Sequence, residues 1–163
     1  MSIVIKSPDE IKVMREAGRI VAKVLKTLAS EVSPGVKTRD LDSVCARELA
    51  KYGAESSFRN YRGYPANICT SINDEVVHGI PGDRPLREGD IVSIDVGAKF
   101  NGFQGDAAIT VGVGKISPEA KKLIEVTEGA LQAGIAAAKQ DAHLGEVSAA
   151  VQAYVEGHGF SVV

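Results

Sequence analysis

With 163 residues, 44% apolar and 25% charged, the chain has the size and composition of a globular domain that can bury a core. A net charge of -2, from 19 Lys+Arg against 21 Asp+Glu, gives no basic surface of the kind that nucleic acid or an anionic membrane selects. No apolar run approaches the ~18 residues that span a bilayer. The N-terminus lacks the features of a signal peptide and two cysteines make no disulfide framework, so the reading is a cytoplasmic protein.

Ser7-Pro8-Asp9-Glu10 predicts a helix start: Ser7 as cap, Pro8 at the first helical position, Glu10 closing a capping box. Ile11, Met14, Ala17, Val21, Val24, Leu25 and Leu28 follow at helical spacing, and Pro34-Gly35 ends the run. Thr38 is the expected cap of a second helix, with Leu41, Val44, Cys45 and Leu49 on one face and Gly53 as its stop.

Residues 55–113 are rich in β-branched side chains and turn signals. Residues 67–72 read as a strand, and Asn73-Asp74 as a turn into a strand-like 75–78 that ends at His78. A loop over 79–89 leads to Asp90 at a strand end, then to the run 91–100 and Asn101-Gly102. Asn-Gly between two such runs is a strong hairpin signal. A two-residue turn there sets Asp95 opposite Ala108 and Asp106 opposite Gly97. The two aspartates then share a face as diagonal neighbours, about 7–8 Å apart by backbone.

Asp is disfavoured within strands, and Asp95 lies in a run that otherwise reads as buried. Two facing carboxylates in a core are costly unless a cation neutralises them, and hard oxygen ligands suit Mn, Fe, Co or Zn. The competing reading is a solvated hairpin face that needs no metal. Cys69 reads as a small core hydrophobe rather than a nucleophile. His143 and His158, in a linker and at a helix end, read as structural.

Ser117-Pro118-Glu119 opens a unit like the first. Leu123, Val126, Ala130, Leu131, Ile135 and Ala138 form its stripe, and Val147, Val151 and Val155 mark a further helix before Gly157-His158-Gly159. The order Ser-Pro, helix, linker, helix, glycine, apolar strand thus occurs twice. Two readings stand: a duplicated half-domain, or two amphipathic hairpins alike only because such hairpins resemble each other.

Tyr61-Arg62-Gly63-Tyr64-Pro65, then Asn67-Ile68-Cys69, then Val76-Val77-His78-Gly79-Ile80-Pro81, then Ile94-Asp95-Val96-Gly97, then Gly105-Asp106 occur in this order. With them the chain resembles bacterial type I methionine aminopeptidases, from its first helix to its last residue. The resemblance implies an α/β (α+β) pita-bread fold, in which two related αβ halves enclose a central site. Residues 1–163 are then a single truncated domain, with 1–114 the first αβ half and 115–163 the helical part of the second.

The implied activity is metal-dependent removal of the initiator methionine, with two divalent ions (Co, Mn, Fe or Zn) in the complete enzyme. Asp95 and Asp106 match metal ligands. His78 matches a catalytic histidine that contacts substrate near the scissile bond. Phe58, Tyr61, Tyr64 and Cys69 match the methionine pocket, Phe58 standing where some members carry cysteine. Gln104 and Ala107 depart from frequent family choices at positions that are not ligands.

The family's remaining ligands, a histidine and two glutamates, are expected beyond Val163. This chain then holds two of five ligands and is expected to be inactive alone. The alternative is a non-catalytic fragment serving as a protein-binding module. The partners implied are N-terminal Met-peptides of nascent proteins, the ribosome, and a second copy docked through the unfinished sheet. No membrane or direct nucleic-acid partner is expected.

Overall fold

A computed structural model describes residues 3–163, and the chain divides into two compact units, Met1–Lys115 and Ile116–Val163. In the first unit, α1 (Pro8–Glu31) begins as its sequence predicts. The Ser7 hydroxyl accepts from the Glu10 N–H at 3.3 Å, and the Glu10 carboxylate accepts from the Ser7 N–H at 2.7 Å. Ala17, Ile20, Val21, Val24, Leu25 and Leu28 are buried, whereas Ile11 and Met14 in the first two turns are exposed. The predicted stripe therefore starts a turn too early.

Helix α2 (Thr38–Lys51) buries Leu41, Cys45 and Leu49. Thr38 is not its cap, contrary to expectation. Lys37 takes that position, and the buried Thr38 hydroxyl instead ties α2 to the loop around Gly82, accepting from its N–H at 2.8 Å and donating to its carbonyl at 3.2 Å. A hydroxyl closed off from water must find a partner, and here the tertiary partner displaced the local one.

The sheet is antiparallel and built on β3 (Ile91–Phe100). One edge of β3 pairs with β1 (Glu55–Ser56) and β2 (Ile68–Ile72), the other with β4 (Phe103–Gly112). Asn101 and Gly102 both have positive φ, 46° and 83°, the conformation a two-residue primed turn requires. The register follows: Phe100 faces Phe103, Asp95 faces Ala108, and Gly97 faces Asp106. Val92, Ile94, Val96 and Ala98 point into the core with Ile68, Ile72 and the buried residues of α1 and α2. A Cβ at Gly105 would stand 2.7 Å from the Ala17 carbonyl carbon, so this glycine lets α1 lie directly on β4.

Residues 75–78 are not a strand. They form an exposed loop whose next residue, Gly79, lies along β2, accepting from the Thr70 N–H at 2.8 Å and donating to the Ser71 hydroxyl at 3.2 Å. Glu75 holds the loop's start, accepting from the Ile72 N–H at 2.9 Å and from Arg84 at 2.7 Å. The two valines that gave it a strand-like look, Val76 and Val77, face solvent.

In the second unit, α3 (Pro118–Ala137) is capped by Ser117, whose hydroxyl accepts from the Ala120 N–H at 3.1 Å. It pairs with α4 (Leu144–Gly157) where the bare Cα of Gly129 admits the Tyr154 ring. Val126 and Ala130 are buried, but Leu131 and Ile135 of the predicted stripe are 57% and 58% exposed. His143 precedes α4, and His158 ends it, stacked on Tyr154 at 4.4 Å. Residues 160–163 form no strand, so the last step of the apparent repeat is absent from the described residues.

Candidate active site

The sheet face turned away from α1 and α2 carries Cys69, Ser93, Asp95, Gly97 and Asp106 in adjacent register. Over it folds the segment 57–67, which joins β1 to β2. Asp42 of α2 anchors the end of that segment, its carboxylate accepting from the Asn67 N–H at 2.6 Å, the Asn67 side-chain amide at 2.9 Å and the Ile68 N–H at 3.2 Å. Ser56 anchors the start by accepting from the Phe58 N–H at 3.0 Å while donating to the Asn67 carbonyl at 2.8 Å. Between these anchors Asn60 and Arg62 both adopt left-handed backbone around the short 3-10 turn Tyr61–Gly63.

The result is a cavity of about 650 Å³ lined by Phe58, Tyr61, Tyr64, Cys69, His78, Asp95 and Asp106, together with Arg62, Gly63, Pro65 and Ile80. All seven residues singled out from the sequence lie on this one surface. Tyr64 is fixed from two sides: its ring meets Phe58 edge-on at 6.5 Å, and its hydroxyl lies 3.0 Å from the Ile68 carbonyl and 3.1 Å from the Gly79 carbonyl. His78 has φ of 60°, a strained conformation for a residue with a Cβ. The contacts of Gly79 with β2 hold that strain in place.

Asp95 is half-buried, and its Oδ1 has no hydrogen-bond partner. Burial pushes its carboxyl above the usual range and the charge of Asp106 pushes it further; the nearby His78 and the Val96 N–H pull the other way. Asp106 is exposed overall, but its carboxylate faces the cavity, and partial burial raises it too. Burial also raises the Cys69 thiol, opposed by its hydrogen bond with Tyr64, so Cys69 is poorly suited to act as a thiolate.

A pair of carboxylates with raised protonation, one with an orphaned oxygen, is a donor set that a divalent cation fits. Among the described residues, no group of three or more His, Cys, Asp and Glu is placed to hold a metal. Sequence reasoning missed Asp42, Ser56 and Arg62. The left-handed turn at 60–63 had a signal in Asn60 and Gly63; the role of Asp42 had none, because its partners lie 25 residues away.

The sequence model of metallopeptidase family M24 matches residues 12–163. The chain is 50% identical over 161 residues to methionine aminopeptidase 1 of Bacillus subtilis, covering 99% of this chain and 65% of that relative. The structure of methionine aminopeptidase from Rickettsia prowazekii superposes with a TM-score of 0.97 at 40% identity, over 99% of this chain and 65% of that one. The enzyme from Thermotoga maritima gives 0.97 at 39% identity, over 99% and 66%. The chain therefore spans about 65% of the length of the curated relatives it matches.

Proposed function

The chain belongs to metallopeptidase family M24, with the fold of methionine aminopeptidases, and from this we propose that its cavity is the substrate and metal-binding half of a methionine aminopeptidase site. The observation that carries the reading is the orphaned Asp95 oxygen, near the Asp106 charge, in a cavity also lined by Phe58, Tyr61 and Tyr64.

In this reading Asp95 and Asp106 hold divalent metal. Phe58, Tyr61, Tyr64 and Cys69 enclose an unbranched apolar side chain with a polarizable sulfur, which suits methionine. His78 contacts the peptide near the scissile bond, where a ring nitrogen can donate to a developing oxyanion or leaving amine. The aromatic wall excludes water from the side chain while the carboxylate end stays polar. When bound, divalent ions supply positive charge that polarises a carbonyl and acidifies water.

Residues 1–163 contribute two carboxylates to that centre, and two carboxylates leave a cation largely hydrated. The 163-residue chain thus binds Mn or Co weakly, at about millimolar concentration, and releases methionine from Met-Ala-Ser negligibly. Calorimetric titration of both ions into wild type and the Asp95→Asn/Asp106→Asn double variant tests this. Heat that is lost in the variant supports it; identical isotherms sink the metal assignment. Robust turnover by wild type that vanishes in Asp106→Asn would show that the chain completes the centre with further residues of its own.

A further inference from the structure

Gly97 has no part in the chemistry above, yet it sits on the cavity face, two residues after Asp95 and directly across from Asp106. A Cβ built on it would stand 2.6 Å from Phe58 Cε1, 3.1 Å from Phe58 Cζ and 2.8 Å from Ser57 Cβ. The φ of Gly97 is not in the left-handed region, so the backbone does not demand glycine there. What demands it is the segment laid over it, the edge of the Phe58 ring and the Ser57 Cβ both resting on the bare Cα.

The ring has little freedom to retreat. Its backbone is tied down on both sides, before it by the Ser57 N–H donating to the Gly97 carbonyl at 2.9 Å and the Phe58 N–H donating to Ser56 at 3.0 Å, and after it by the Phe58 carbonyl accepting from the Tyr61 N–H at 2.9 Å. Tyr64, edge-on at 6.5 Å, borders it within the cavity. A side chain at 97 must displace the ring or Ser57, and the cavity that Phe58 lines is open space beside the ring.

We propose that Gly97 and Phe58 form a specificity-determining pair: the ring docked on a bare Cα sets the depth of the cavity, and so the length of unbranched apolar side chain it accepts. That the occupant is the first residue of a peptide rests on the reading above; the depth control does not. The pair is reciprocal, since a larger residue at 97 requires a smaller one at 58 to keep the same depth.

Cys69 reports on this space, because it lines the cavity and lies directly across from Asp95 on β2. Cys69 is itself buried and its thiol is raised by burial, so its reaction is read as the ratio of two reagents at one alkaline pH, which cancels the thiolate fraction. Cys45, fully buried in the core on the other side of the sheet, serves as the control. The experiment follows modification of Cys69 in the 163-residue chain by methyl and butyl methanethiosulfonate, using peptide mass mapping, without metal or peptide. A butyl adduct has the length of a methionine side chain and must fit the space Phe58 bounds; a methyl adduct need not.

In Gly97→Ala the butyl-to-methyl rate ratio is expected to fall about tenfold, the scale of an overpacked site. In Phe58→Ala it rises, and in the double variant it returns toward the Phe58→Ala value, the Ser57 Cβ being the contact that remains. A ratio unmoved by Gly97→Ala in folded protein, or as depressed in the double variant as in Gly97→Ala, overturns the proposal. If Gly97→Ala does not fold, Phe58→Ala alone decides, since an unchanged ratio there is equally fatal. Because the assay contains no metal, its failure is separable from failure of the cation titration.

Discussion

Alternate residues of β3 live in two different environments. Val92, Ile94, Val96 and Ala98 are sealed with the helices, while Ser93, Asp95 and Gly97 lie on the opposite face, where Asp95 lines a cavity and the Phe58 ring rests on Gly97. The first face holds apolar side chains with no polar decision to make. The second holds an unpaired carboxylate oxygen, a second carboxylate across the hairpin and a glycine kept small by a ring. The contrast teaches that one side of a single strand builds the core while the other carries unpaired polar atoms and close contacts, costs tolerated because the core side outweighs them.

If that division holds, the largest loss comes from the sealed face. Ile94→Ala removes a fully buried side chain and leaves a cavity, so unfolding is expected to become easier by about 2–5 kcal/mol. Urea denaturation checks it. A cost below that of a surface substitution would mean the helix-covered face is not the principal core.

The next effect sharpens the same side. Gly105→Ala puts a methyl against the backbone of α1 at Ala17 and Gly18, which cannot rotate away as a side chain could. The expected destabilisation is about 1–3 kcal/mol, with α1 amides losing hydrogen-exchange protection before those of α2. Uniform loss across both helices would show that α1 does not depend on this close approach.

On the cavity face the sign reverses. Asp95→Asn removes a charge that burial and Asp106 both disfavour, so the metal-free chain should gain stability, on the order of 1 kcal/mol for partly solvated like charges at this spacing. The same variant loses cation binding. A variant that is both less stable and unable to bind would mean that Asp95 is structural in the free chain.

These two faces were unequally legible. The hairpin register, and with it the pairing of Asp95 and Asp106, followed from Asn101-Gly102, because a two-residue turn leaves no freedom in pairing. The capping box at Ser7 was equally local. What could not be read was tertiary: Thr38 abandoned its cap for Gly82, residues 75–78 carry two β-branched valines yet lie as a loop, and Asp42 anchors Asn67 across 25 positions. Leu131 and Ile135 show the same limit from the other side, since periodicity marks an apolar face but not what covers it.

The smallest expected effect is the pH dependence that follows from the raised carboxyls. Burial first, and then Asp106, lift Asp95 above the ordinary carboxylate value, and burial lifts Asp106. The folded chain then binds protons more tightly than the unfolded one, so metal-free stability rises as pH falls into the window above about 4 and declines as pH climbs through the raised values. Groups shifted the other way act later. Glu10 is held down by hydrogen bonds from Ser7. Asp90 is held down, against its partial burial, by hydrogen bonds from Asn73 and the Arg87 N–H. Both withdraw stability as pH falls through the ordinary carboxylate range and below it. Melting curves taken from about pH 7 to about pH 5 should therefore show wild type gaining a little, by less than the Asp95→Asn substitution gains, because protonation over that range is partial. The Asp95→Asn variant should be flatter over the same range. Parallel curves for the two proteins would mean that Asp95 does not titrate abnormally, and the unpaired oxygen on the cavity face would lose its claim to be a cation's place.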